Sequence, residues 1–513
     1  MPITRRRFLS TSALAALALR TAPLRAWADT SPVTVATPSG PLRGEQSAGV
    51  NIFRGVPFAQ PPVGPLRFRP PVPVKAWTEP RDATKFPASA MQPGEPGVTH
   101  SEDCLYLNIW APAVPLPTHD PLPVYVWIHG GGFTGGHAFE PMYDGAGLAL
   151  EGVICVTVAY RLGVFGFMDV EPLLGPEFAG SANNALRDLM AALTWIQRNI
   201  AAFGGDPTRV TIGGESAGAK LTDILMGVPS AQPLFSQAIS ESGGAERVWS
   251  RAQSTVIAEG FGDAWRTQSG NAPSTILSAD AANLIEAQKH FIAQWPQHFP
   301  MRCEVDGTLL PRLPVTSIAQ GSRRGKRLLI GTNRDESAAF LGPHPQHDPG
   351  GADLGNLSPI SFKSVFKKYR DIYPQMTDEQ LRIRATTAEE YWVPSLRVVD
   401  AHVNAGGSGF TYRLDFSETS GNFRGYAFHS LDVPLVWDRP SAKVDNAAAE
   451  AVLAHQMHQA WVAFLRGEIP AAPGVPMWPA YDPFTRPTMV FDTQNHVEQQ
   501  PQEAELRLWD GVL

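Results

Sequence analysis

Gly214-Glu215-Ser216-Ala217-Gly218 sets a serine hydroxyl in a context suited to nucleophilic attack. An apolar, β-branched run (Val210, Thr211, Ile212) precedes it, and a helix-like run (Ala217, Lys220, Leu221, Ile224, Leu225) follows. A serine on a sharp strand-to-helix turn exposes its Oγ, and the flanking glycines let strand and helix approach the turn closely. Upstream, Val124-Tyr125-Val126-Trp127-Ile128 runs into His129-Gly130-Gly131-Gly132-Phe133. Glycines of this kind bring backbone N–H groups within reach of a reacting carbonyl oxygen. Losing one such donor typically costs about 3–4 kcal/mol of transition-state stabilisation.

A serine needs a base, and the base needs an acid to hold it. In a strand–elbow–helix fold of this type the chain order is Ser, then Asp or Glu, then His, which leaves only histidines beyond Ser216 as candidates. The strand-like Arg327-Leu328-Leu329-Ile330 ends in Gly331-Thr332-Asn333-Arg334-Asp335-Glu336-Ser337, so two adjacent acids lie just past a strand's carboxyl end, where α/β sheets place chemistry. The residues alone do not choose between Asp335 and Glu336. Phe410-Thr411-Tyr412-Arg413-Leu414 reads as a further strand, and His429 follows it in a loop before the apolar run Leu431 to Trp437. Spacing favours His429, because His402, His455 and His458 fall on helix-like runs.

These segments, together with others along the chain, carry a resemblance. Phe53-Arg54-Gly55-Val56-Pro57-Phe58-Ala59-Gln60-Pro61-Pro62-Val63-Gly64-Pro65-Leu66-Arg67-Phe68, Ser101-Glu102-Asp103-Cys104-Leu105-Tyr106-Leu107-Asn108, Tyr160-Arg161-Leu162-Gly163, Phe203-Gly204-Gly205-Asp206-Pro207 and Phe428-His429-Ser430 join the two glycine motifs and the Asn333–Glu336 turn. From about Val33 to its C-terminus the chain resembles the type B carboxylesterases, which include the cholinesterases. The resemblance implies an α/β-hydrolase fold: a large mixed, mostly parallel central sheet flanked by helices, with insertions over the active site. It implies Ser216 as nucleophile, Glu336 as acid and His429 as base, with the N–H groups of Gly131, Gly132 and Ala217 forming the oxyanion hole. Asp335 then becomes a structural or surface acid. Glu215 is expected to tune the field beside the imidazole, Ser242 to lie behind the triad acid, and Arg67 and Glu102 to form an ion pair pinning the segment around Cys104. The implied reaction is ester hydrolysis through an acyl-enzyme, with no metal or organic cofactor.

Departures from the family pattern narrow the expectation. The cysteine that often pairs upstream of Cys104 is replaced by Ala90; Cys155, in an apolar strand, reads as a buried hydrophobe, and Cys104 and Cys303 pair only if the fold brings them together, which spacing does not show, so no structural disulfide is expected. The segment Met91–Asp103 holds no tryptophan, so the aromatic face that would receive a quaternary ammonium is missing. Leu189 follows Asp188 where the family usually has glutamine. The same triad could serve acyl transfer, lactone opening or amide cleavage, with water the default acceptor in an open pocket. A non-catalytic adhesion relative would usually lack a triad member, whereas all three positions here carry competent residues. His137, Phe139, Met142 and Tyr143 follow the glycine loop as candidates for shaping the pocket.

The elements that must position these groups span most of the chain. The spacing of Leu186, Leu189, Leu193, Ile196, Ile200 and Phe203 predicts a helix over Asn184–Phe203, stopped by Gly204, Gly205 and Pro207. Ala245–Pro300 and the stretch from Gly342 to about Ile383 read as insertions over the sheet's carboxyl edge. Because the site residues run from Gly131 to His429 and must converge, one domain over residues 29–513 is simpler than several. His344-x-x-His347-Asp348 and His455-x-x-His458 are better explained by loop polarity and an exposed helix face than by metal binding.

Thr4-Arg5-Arg6-Arg7-Phe8-Leu9-Ser10, the short apolar run Ala13–Leu19 and Ala26-Trp27-Ala28 fit a twin-arginine signal over residues 1–28, cleaved after Ala28, and hence a periplasmic or secreted protein. Removing its five arginines takes the formal charge from −7 to −12. That charge argues against nucleic acid and anionic membranes as partners and leaves a small-molecule ester as the expected one. Hydrophobic residues at 43% and charged residues at 18% suit a packed globule, and the residues specify no oligomeric state.

Overall fold

The computed structural model describes residues 30–94, 96–113, 120–296, 299–321, 325–341, 359–440 and 446–512. The signal-like N-terminus, His298 and the His344–Asp348 group lie outside the described residues.

Alternation along the apolar strands decides the layering. In strand Leu122–Ile128, Val124, Val126 and Ile128 join one buried cluster while Tyr125 and Trp127 join a second. A strand buried on both faces needs cover on both faces, the condition of a parallel sheet inside an α/β layer structure. Helix Asn184–Asn199 supplies Leu186, Leu189, Leu193 and Ile196 to the first cluster, and helix Ala217–Met226 adds Leu221, Ile224 and Leu225. Helix Ala447–Leu465 covers the other face with Leu453, Met457, Trp461 and Phe464.

One 13-stranded sheet results. Its principal order is Ser31–Thr37, Gly40–Ser47, Val50–Pro57, Tyr106–Pro112, Ile154–Val158, Leu122–Ile128, Gly205–Glu215, Gln237–Glu241, Arg327–Asn333, Ser408–Leu414, Thr488–Phe491 and His496–Glu498. The first five pair antiparallel, the seven from Ile154–Val158 to Thr488–Phe491 run parallel, and the last pairs antiparallel. Parallel strands bring their carboxyl ends to one edge. Ile128, Glu215, Glu241, Asn333 and Leu414 therefore end side by side, and the residues that follow each form the candidate site.

The expected Asn184–Phe203 helix forms, with its last turn, Ile200–Phe203, tightened to 3-10 geometry before Gly204. Leu189 is fully packed, and Asp188 is satisfied by Arg161, whose backbone N–H, Nε and Nη2 all donate to its carboxylate at 2.7–3.1 Å. The missing glutamine thus leaves no polar gap at Asp188. All three cysteines are buried and free. One expectation needs correction. His455 is exposed, but His458 is buried and its Nδ1 lies 2.9 Å from Val436 O, because helix Ala447–Leu465 is covered by the Asp432–Val436 helix on that side. Among the described residues no cluster of three or more metal-ligating side chains occurs, and no helix is long and apolar enough to cross a membrane.

Candidate active site

Ser216 sits between strand Gly205–Glu215 and helix Ala217–Met226 with φ 55° and ψ −121°, a conformation that costs energy for any residue with a Cβ. The surroundings hold it there: Ser216 N donates to Glu241 O at 2.9 Å, and Lys220 N donates to Ser216 O at 2.9 Å. Crowding explains the two motif glycines. A Cβ at Gly214 would lie 2.2 Å from Ile128 O, and one at Gly218 would lie 1.9 Å from the same oxygen.

The glycine loop lies directly beside the elbow, since a Cβ at Gly130 would fall 3.2 Å from Ser216 Cβ. Gly131 and Gly132 take φ of 112° and 62°, which a side chain would resist. Two of the loop's carbonyls are occupied. Gly131 O accepts from Thr134 N and Gly135 N, and His129 O accepts from the Tyr160 hydroxyl at 2.7 Å. Among the described residues no hydrogen bond uses the N–H of Gly131, Gly132 or Ala217. Burial pulls the His129 imidazole down to about 4, so the ring is neutral at neutral pH and adds no charge to the loop.

Behind the elbow Glu336 and His429 meet. His429 Nδ1 lies 2.6 Å from Glu336 Oε2. The other carboxylate oxygen, Oε1, accepts from Ser242 Oγ at 2.5 Å and from Asn333 N at 2.7 Å. Three donors thus hold a fully buried carboxylate, the condition under which burying a charge is tolerable. Asp335, one residue earlier, points elsewhere. It pairs with Arg334 and accepts from Ala427 N at 3.0 Å, tying the acid turn to the loop that carries His429.

On its second face the imidazole meets Glu215. His429 Nε2 lies 3.1 Å from Glu215 Oε1, which also accepts from Ser430 Oγ at 2.5 Å. Among the described residues no hydrogen bond joins Ser216 Oγ to His429. Burial alone would lower the His429 pKa, but the carboxylates of Glu215 and then Glu336 outweigh it and the net shift is upward. Burial raises Glu215 to about 7 against the pull of His429. Asp432, buried and bonded to Tyr412 OH at 2.7 Å and Asn333 Nδ2 at 3.1 Å, is raised to about 6 by burial and then by Glu336.

The ring of His429 is walled by Phe340 at 4.9 Å and Tyr391 at 4.8 Å between centroids. Phe299 follows, 6.0 Å from Phe340 and pressed on the glycine loop: a Cβ at Gly132 would fall 2.6 Å from it. Sequence reasoning missed Phe299, Phe340, Tyr391, Ser430 and Asp432. Asp432 alone had a signal, lying three residues past His429 at the start of a helix. The Phe139 and Tyr143 side chains, expected to shape the substrate pocket, instead line a cavity of about 460 Å³ with Glu45, Arg54, Phe86 and Trp110, and none of Ser216, Glu336 or His429 lines it. The expected Arg67–Glu102 pair forms as a two-pronged contact at 2.7 and 2.5 Å.

Sheet order, elbow and glycine loop together define an α/β-hydrolase. A family model described as "Carboxylesterase family" matches residues 31–509. The para-nitrobenzyl esterase of Bacillus subtilis (strain 168) is 34% identical over 92% of this chain and 97% of its own length. The fumonisin B1 esterase of Sphingopyxis macrogoltabida is 32% identical over 90% and 86%. The crystal structure of the Geobacillus stearothermophilus carboxylesterase EST55 superposes with a TM-score of 0.82 at 33% identity, covering 93% of this chain and 99% of that one. The chain belongs to the carboxylesterase family and is a carboxylic ester hydrolase of the serine type.

Proposed function

We propose that Ser216 is the nucleophile, His429 its base, Glu336 the acid that holds the base, and that the N–H groups of Gly131, Gly132 and Ala217 receive the oxyanion. The single observation that carries this reading is the 2.6 Å contact of His429 Nδ1 with a carboxylate pinned by Ser242 and Asn333. A carboxylate only accepts, so Nδ1 carries a proton toward it and Nε2 is left as the base. On ester binding Nε2 takes the Ser216 proton as Oγ attacks the carbonyl carbon. Free catalytic sites often hold this bond long and tighten it only with substrate. The imidazolium then protonates the leaving alcohol, and water repeats the two steps to release the acid.

Small carboxylic esters are the substrate class, and para-nitrophenyl butyrate, which releases a coloured phenolate on hydrolysis, is the probe. Ser216→Ala should abolish its hydrolysis with the circular dichroism spectrum unchanged, and a fluorophosphonate should label the wild-type chain at Ser216 alone. Hydrolysis by Ser216→Ala at the wild-type rate would refute the assignment.

A further inference from the structure

The loop that carries His429 is fastened unequally to its two partners. Toward the acid, three hydrogen bonds tie it to the Asn333–Glu336 turn. Asn333 Nδ2 donates to Phe428 O at 2.8 Å, Asp335 N to Ala427 O at 2.9 Å, and Ala427 N to Asp335 Oδ2 at 3.0 Å. Toward the elbow the polar contacts are fewer. Among the described residues, those that join residues 427–430 to residues 214–218 both end on one atom, Glu215 Oε1. Ser430 Oγ donates to it at 2.5 Å, and His429 Nε2 lies 3.1 Å from it.

One of these two contacts has to give way when Nε2 turns to accept the Ser216 proton. The Ser430 hydroxyl is then the link that lasts through the reaction. It reaches from the residue after His429 to the residue before Ser216. Glu215 is itself wedged at its other oxygen, since a Cβ at Gly130 would fall 2.9 Å from Glu215 Oε2. A carboxylate seated against the glycine loop gives the hydroxyl a fixed point to hold.

The backbone points the same way. Ser430 has a φ of 67°, in the left-handed region that favours glycine. The same loop places glycine at two of its other left-handed positions, Gly421 at 79° and Gly425 at 85°. At Ser430 a β-carbon is kept despite its steric cost, and what it carries is the hydroxyl on Glu215. The conformation is held on its far side by Val433 N, which donates to Ser430 O at 3.3 Å as the chain enters the Asp432–Val436 helix.

We infer that Ser430 is a positioning residue: its hydroxyl, bound to Glu215, keeps His429 Nε2 in register with Ser216 Oγ. This rests on the esterase reading above and deepens it. Proton transfer demands hydrogen-bond reach between base and nucleophile, so a loosened base slows the chemical step more than it weakens ester binding.

The test uses Ser430→Ala and Ser430→Gly with p-nitrophenyl butyrate. Both lack the hydroxyl, but the alanine keeps the β-carbon in the left-handed conformation and the glycine relieves it. In both, kcat should fall about tenfold while KM stays within about twofold. Wild-type kcat in Ser430→Gly, or a loss that falls on KM instead, overturns the inference. Should Ser430→Ala fail to fold, Ser430→Gly, whose backbone suits the turn, decides alone. The second measurement removes the acceptor. In a Glu215→Ala background the hydroxyl has nothing to hold, so adding Ser430→Gly should change kcat by less than about twofold. A further tenfold loss there would show that Ser430 does not act through Glu215 and overturns the proposal. Wild-type turnover with unaffected Ser430 variants leaves the esterase reading standing, whereas no wild-type turnover of the ester sinks both.

Discussion

His429 Nε2 and Glu215 Oε1 lie 3.1 Å apart, so the nitrogen proposed as the base faces the carboxylate of the residue preceding the proposed nucleophile. A neutral imidazole with its proton on Nδ1 would present a lone pair to that oxygen. One proton must therefore sit between them, and the two groups titrate as a pair. Both are raised, Glu215 by burial and His429 by its two carboxylate neighbours.

With His429 as the proposed base, activity requires its neutral form, so an upward shift means that activity is lost on acidification at a pH above the ordinary imidazole range. Glu215→Gln removes one of the two neighbouring carboxylates that raise His429. Its pKa falls, and the acid limb of kcat/KM against pH moves to lower pH. Profiles of both proteins with p-nitrophenyl butyrate check this, and an acid limb that stayed in place or moved upward would show that Glu215 does not govern the base.

Glu336 and Ser242 should differ sharply in consequence. Glu336→Gln keeps the shape but presents the wrong group to Nδ1, and kcat should fall by about 10³–10⁴-fold. Ser242→Ala removes one of two donors to Oε1 while Asn333 N remains, so a loss nearer tenfold is expected, about 1.4 kcal/mol, in the range of one charge-assisted hydrogen bond. Equal losses in steady-state kcat would mean that the hydroxyl does more than hold the acid.

At the glycine loop, Gly131→Ala would set a Cβ 2.1 Å from Gly135 O at a φ of 112°. The turn must shift, and the N–H groups proposed to receive the oxyanion shift with it. We expect kcat down about 10²–10³-fold, with KM changed much less, as for loss of an oxyanion donor. Kinetics on a short ester read this directly, and an unchanged kcat would remove Gly131 from the oxyanion hole.

Much of this site was legible because its parts follow strand ends. The elbow, the glycine loop and the acid turn each close an apolar run that forms a parallel strand, so reading the strands already placed the chemistry on one edge. The choice of Glu336 over Asp335 was not legible from the residues themselves. Neighbouring side chains on a turn diverge, and only the position of Arg334 and Ala427 shows which way Asp335 goes. Phe299 and Tyr391 were invisible for another reason. Phe299 lies on the Ala245–Pro300 insertion, whose approach to the sheet is set by tertiary packing, and Tyr391 sits past the second insertion in a π-helical turn, Ala388–Trp392, that no local pattern announces. His458 was misread because Ala447–Leu465 is covered on more than one side, which blurs its periodicity.

Export is a proposal that rests on residues 4–10 and 26–28. Replacing Arg5, Arg6 and Arg7 together by lysine should keep esterase activity in the cytoplasm of a bacterial host. The exported wild-type chain should begin at Asp29 by N-terminal sequencing, and export of the triple-lysine variant at the normal level would exclude the twin-arginine route.

The Arg67–Glu102 pair makes a prediction about stability rather than rate. Nε and Nη2 of Arg67 grip the carboxylate, while Nη1 donates to the carbonyls of Ile276, Leu277 and Ala279, joining the N-terminal region to the insertion after the elbow. The two side chains are 9% and 11% exposed, so solvent screens them little. Arg67→Met leaves a nearly buried carboxylate and three carbonyls without their donor, and should cost about 3–5 kcal/mol. Arg67→Met combined with Glu102→Met removes the stranded charge as well and should cost less than Arg67→Met alone. Urea unfolding of the single and double variants reads the difference. A double variant less stable than Arg67→Met would mean that Glu102 is held by partners other than the guanidinium.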